Sequence, residues 1–134
     1  MNQRGIGFLA SITSDTYYVE KGKTVHFDRL VTNEGNSFDQ HNAIFTAPVN
    51  GLYVFSVTIS AFRGKNGVEV VKDGINLRRI FSHSNSGEWN TASSSVTTHL
   101  NRGERVYVRG YERGHRGPGL GLPSFSGFLV KPDC

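Results

Sequence analysis

Residues 51–62, GLYVFSVTISAF, alternate without a break. In an extended chain Tyr53, Phe55, Val57, Ile59 and Ala61 fall on one side, and Val54, Ser56, Thr58 and Ser60 on the other. A period of two belongs to a strand, and a side built only of apolar groups must meet a core. Similar patterns recur at 7–13, 24–31, 43–47, 67–72, 75–82, 91–100, 104–110 and 124–131, and no segment carries a helical period. Between them stand NEGN (33–36), PVNG (48–51), KNG (65–67), KDG (72–74), NSGE (85–88) and NRGE (101–104). Asn, Asp and Gly tolerate the positive φ that tight hairpins need. About nine or ten short strands at this rhythm predict an antiparallel sandwich or jelly roll. With 134 residues, 37% of them hydrophobic, the chain can fill one core, so residues 1–134 are read as one domain. The segment 111–123, YERGHRGPGLGLP, is predicted as a long loop.

Two strands do not alternate cleanly. In SFSGFLV (124–130), Phe125 and Leu129 share one side while Phe128 and Val130 share the other, and GIGFLASI is apolar on both sides. An antiparallel sheet with one wet face should alternate. A doubly apolar strand predicts a sheet covered twice, once by the core and once by another subunit. The single cysteine, Cys134, excludes an intrachain disulfide and leaves either a free thiol, the favoured reading, or a link between chains.

The stretch RVYVRGYER (105–113) puts Arg105, Tyr107, Arg109, Tyr111 and Arg113 on one side and Val106 and Val108 on the core side. The formal net charge is +4, which tilts partners toward anionic surfaces. Arg interleaved with aromatics suits single-stranded nucleic acid, but so small an excess is low for that task, and no nucleic-acid partner is expected. The combination equally suits glycans: rings pack on the apolar face of a sugar, and Arg pairs bidentately with a carboxylate or phosphate. Trp89, His115 and Arg116 are comparable contacts in predicted loops. The alternative is that Tyr and Arg cover an outer sheet and pair across strands. No apolar run approaches the roughly 18 to 20 residues of a membrane span, so membrane insertion is not expected, and MNQRGIGFLASIT is too short in apolar residues for a secretory leader.

The segment Phe27 to Phe55, FDRLVTNEGNSFDQHNAIFTAPVNGLYVF, resembles the signature of the C1q globular domain within the C1q/tumour necrosis factor superfamily. The matching positions are Phe27, Asn33, Phe38, Phe45, Gly51, Tyr53 and Phe55, with Val57 where the pattern ends in an aromatic. SSSVTTHLNRGERVYV (93–108) and FSGFLVKP (125–132) are similar to the later strands of that family, in the expected order. The resemblance implies a ten-stranded antiparallel jelly-roll sandwich that packs as a homotrimer. It assigns Phe27, Phe45, Gly51, Tyr53, Phe55 and Phe125 to the core and trimer packing, and the strand at 104–110 to the outer sheet.

Enzymatic constellations are missing from the sequence. His26, His41, His83, His99 and His115 lack metal-ligand spacing. There is no nucleophile elbow, and GPGLG (117–121) precedes a strand rather than a helix. Neither catalysis nor a cofactor is expected. Some relatives hold calcium near the trimer apex; the corresponding loop, FSHSNSGEWN (81–90), offers Ser84, Asn85, Glu88 and Asn90 but lacks the family's Asp. The resemblance thus implies a secreted pattern-recognition module for microbial polysaccharide, lipopolysaccharide or other anionic ligands, with a trimeric receptor-engaging signalling ligand as the alternative.

Overall fold

The computed structural model describes residues 5–14, 19–112 and 122–134, apart from the side chains of Arg63, Ser86 and Glu112. All of its regular structure is strand: β1 Gly7–Ser11, β2 Arg29–Glu34, β3 Phe38–Asp39, β4 Ile44–Thr46, β5 Gly51–Lys72, β6 Ile75–Leu100, β7 Arg105–Glu112 and β8 Ser124–Pro132. Every pairing between these strands is antiparallel. Eight continuous strands give ten legs because β5 and β6, of 22 and 26 residues, run as one hairpin through both sheets.

The first sheet has the order β2–β1–β8–β5–β6, using Gly51–Thr58 of β5 against β8. The second has the order β3–β4–β7–β5–β6, using Gly67–Lys72 of β5 against β7. Each sheet therefore holds five strands, the architecture of a jelly roll. The hairpin closes at Asp73 (φ 46°) and Gly74 (φ 89°), the positive-φ pair that matches strand twist in a two-residue turn.

The turns expected at KNG and NSGE do not end strands. β5 continues through Lys65–Gly67, still paired to β6. Asn85–Glu88 form an excursion inside β6: pairing runs to Gly64↔Ser84 and resumes at Phe62↔Trp89. Turn residues at these two places bend a continuous ribbon from one sheet to the other, a use that local chemistry cannot distinguish from a chain reversal. The strand expected over 24–31 begins only at Arg29. Val25 and Phe27 do alternate into the core. The chain ahead of them meets β7 through isolated bridges, at Lys21↔Gly110 and Thr24↔Arg109, and Val25 N–H donates to Val108 C=O at 2.8 Å.

The core is aromatic. Phe8 stacks on Phe38 at 4.4 Å and meets Phe125 edge-on at 4.9 Å, while Phe45 lies edge-on to Tyr53 and Phe55. Phe27, Phe45, Tyr53, Phe55 and Phe125 are all buried. Tyr53 satisfies its hydroxyl by donating to Val49 C=O at 2.7 Å, and burial pushes its pKa up. A side chain at Gly51 would stand 2.6 Å from Lys131 C=O, so β5 and β8 need glycine there to approach. Asn33 closes the chain between β2 and β3, donating to Phe38 C=O at 2.8 Å and accepting from Phe38 N–H at 3.2 Å.

Candidate functional site

The two sheets turn different faces outward. On the first sheet, cross-strand rows read Leu9–Ser126–Ser56–Ser95 and Phe128–Val54–Thr97, with Ser124–Thr58–Ser93 beside them. From β1 through β8 and β5 to β6 these rows carry no charge, and on β2 two of them end at Glu34 and Arg29. Small hydroxyls pair across the strands, Ser56 with Ser95 at 2.9 Å and Thr58 with Ser93 at 2.7 Å. Phe128 is 52% exposed and Val130 is also exposed, while Phe125 on the opposite side is fully buried. This is the doubly apolar character expected of residues 124–130.

On the second sheet β7 sends Val106 and Val108 into the core and leaves Arg105, Tyr107, Arg109 and Tyr111 on the outer side. Two of its arginines have partners within the chain. Arg105 Nε lies 3.7 Å from Asp73 Oδ1 at the hairpin turn. Arg109 grips Glu69 of β5, with Nη2 at 2.7 Å and Nε at 2.9 Å from Oε2. Glu69 is only 5% exposed, and its other oxygen accepts from Arg79 Nε of β6 at 3.3 Å. A carboxylate buried on a sheet face requires such compensation. The cross-strand alternative therefore accounts for much of the Arg–Tyr pattern.

Sequence reasoning missed Glu69, Arg79 and Phe81. Arg109, Glu69 and Arg79 stand in register across β7, β5 and β6. One step along, Phe81 lies opposite Gly67, and Tyr111 occupies the β7 bulge on the other flank of Gly67. Without a side chain between them, Phe81 and Tyr111 meet edge-to-face at 5.6 Å, and the Arg79 guanidinium sits 4.3 Å over the Tyr111 ring. A signal existed: Arg79 and Phe81 repeat the two-residue spacing of Arg109 and Tyr111.

The remaining candidates lie apart from this cluster. Trp89 is a β6 residue, not a loop residue, and stacks on Phe62 at 4.9 Å. Arg113, His115 and Arg116 lie outside the described residues. Asn85 and Glu88 lie in the β6 excursion and Ser84 and Asn90 in the paired strand beside it, rather than in a free loop; Ser84 Oγ donates to Glu88 C=O at 2.6 Å, and Asn90 Nδ2 to His83 C=O at 2.6 Å. Opposite Ser82, Asn66 is buried on β5 and donates through Nδ2 to Ser60 C=O. Asn66 Oδ1 and Ser60 Oγ are buried with no hydrogen-bond partner in the described structure. Among the described residues no three His, Cys, Asp or Glu side chains converge.

Two antiparallel sheets of five strands each make the jelly roll that C1q and tumour necrosis factor neighbours share. The sequence profile of the C1q domain matches residues 7–130, and the chain belongs to that family. It is 28% identical over 127 residues to mouse complement C1q tumor necrosis factor-related protein 3, covering 93% of this chain and 51% of the relative, so it spans about half of that protein. The globular domain of zebrafish complement 1qA superposes with a TM-score of 0.78 at 17% identity, over 96% of this chain and 99% of the other. Eiger TNF from S. frugiperda superposes at 0.74 (12% identity; 98% and 96% covered), and murine APRIL at 0.71 (16% identity; 96% and 100% covered). Among the described residues no helix is long and apolar enough to cross a membrane.

Proposed function

We propose that the chain is a non-enzymatic, secreted recognition module that acts as a homotrimer and binds microbial polysaccharide, lipopolysaccharide or other anionic ligands. The observation that carries this reading is the difference between the two sheet faces. The centre of the first-sheet face, uncharged from β1 to β6 with Phe128 and Val130 exposed and serine hydroxyls already paired to one another, suits close contact with further copies of the chain. Burying it leaves the second-sheet face outward, once per subunit. Its arginine and tyrosine side chains suit anionic sugars, and three copies turn weak sites into avidity on a repetitive surface.

The test is light scattering followed by an array of polysaccharides and lipopolysaccharides. A trimer mass with saturable binding to at least one array member is expected. A mass of one chain overturns the assembly. A trimer that ignores every array member but binds one cell-surface protein overturns the ligand class in favour of a signalling role.

A further inference from the structure

We infer that Arg79, Tyr111 and Phe81 form a binding site for a carboxylated sugar, a uronate ring of a polysaccharide, with Glu69 and Arg109 holding Arg79 in place. The inference rests on the recognition reading above and gives it a location and a ligand chemistry. β6 pairs with β5 alone, so Arg79 and Phe81 stand on the edge strand of the second sheet. Phe81 exposes half of its surface there. Because Gly67 contributes no side chain, Phe81 and Tyr111 form a corner of two rings at 84°. The exposed face of Phe81, beside the Tyr111 ring that Arg79 covers, matches the apolar C–H face of a pyranose.

The charge beside the corner is unbalanced. Two guanidinium groups share the single carboxylate of Glu69, so the row carries one net positive charge. Arg109 commits two nitrogens to Glu69, whereas Arg79 reaches it through Nε only, at 3.3 Å. The Arg79 side chain is 46% exposed, and among the described residues no acid meets its two terminal nitrogens. Those nitrogens form a planar pair of donors, the geometry that receives a carboxylate bidentately. Stacking over Tyr111 and the bond to Glu69 fix the guanidinium plane, so little freedom is lost on binding. A uronate carries its carboxylate on the ring itself, which brings anion and apolar face to Arg79 and Phe81 together.

The experiment measures binding of the intact chain to immobilised polygalacturonate, its fully methyl-esterified form, dextran and dextran sulfate. Polygalacturonate is expected to bind at least about tenfold tighter than the ester, which keeps the sugar and removes the charge. Arg79→Gln and Phe81→Ser each weaken binding about tenfold or more with the oligomer mass unchanged. Arg102→Gln, in the exposed turn between β6 and β7, leaves it unchanged. Should either variant fail to fold, Arg79→Lys, which keeps the charge but not the planar fork, and Phe81→Leu, which keeps apolar bulk but not the ring, are expected to show the same loss. Equal binding of acid and ester, equal binding of dextran sulfate, or wild-type affinity in the Arg79 and Phe81 variants overturns the site. If polysaccharides bind but these variants do not matter, only the site falls. If no polysaccharide or lipopolysaccharide binds at all, the recognition reading falls with it.

Discussion

Replacing Glu69 asks whether the arginines of β7 and β6 are primarily structural. Glu69 is almost wholly buried and meets Arg109 at 2.7 Å and Arg79 at 3.3 Å. Two unit charges about 4 Å apart at an effective dielectric of about 20 attract by about 4 kcal/mol before desolvation. Removing Glu69 from water offsets much of that, while both arginines stay partly solvated, Arg109 at 28% and Arg79 at 46% side-chain exposure. The net coupling between Glu69 and Arg109 should therefore lie between that of an exposed pair and a fully buried one, about 1–2 kcal/mol. A double-mutant cycle of Glu69→Gln and Arg109→Gln, read by urea unfolding at one fixed protein concentration, isolates that term. Glu69→Gln alone should also lower the midpoint, because Arg109 loses its charged partner. Coupling below about 0.3 kcal/mol, the level at which independent sites simply add, would refute the claim that Glu69 organises this face.

Gly127→Ala should destabilise by about 1–3 kcal/mol and lower Tm by at least about 3 °C in a melting scan, because a Cβ there enters the Phe55 ring and stands 2.9 Å from Phe8. Phe128→Asp places a charge in the uncharged centre of the first-sheet face, and light scattering should then report single chains with native circular dichroism. Asp28 is subject to an upward push from burial, but hydrogen bonds from the Thr13 hydroxyl and N–H, both 2.8 Å, outweigh it and hold its pKa below the ordinary Asp value. A depressed folded pKa gives stability that is present above the unfolded value and lost as pH falls through the folded one. Asp28→Asn should accordingly cost a small amount near neutral pH and nothing in strong acid, a difference that pH-resolved melting scans would detect.

The alternation of 51–62 carries most of the architecture. Tyr53, Phe55, Val57 and Ile59 are buried in register as the sequence pattern requires, and so are Val106 and Val108. Positive-φ chemistry locates the Asp73–Gly74 reversal, and the spaced aromatics from Phe27 to Phe55 locate the core. The same turn chemistry misplaces two chain reversals, because Lys65–Gly67 and Asn85–Glu88 bend a paired ribbon instead of ending it. It misplaces Trp89 in a loop for the same reason, although β6 continues through that residue.

What the sequence determined by itself was which side of each cleanly alternating strand turns inward, since a period of two needs no knowledge of neighbours. It also determined that Arg105, Tyr107, Arg109 and Tyr111 share the outer side. Only the tertiary structure decided what those side chains meet. Glu69 and Arg109 are forty residues apart in sequence, and their contact depends on β5 crossing into the second sheet to lie between β7 and β6. Strand periodicity assigns faces, but strand register assigns partners. Register in this molecule is set by one long hairpin whose bend is not written in any single segment.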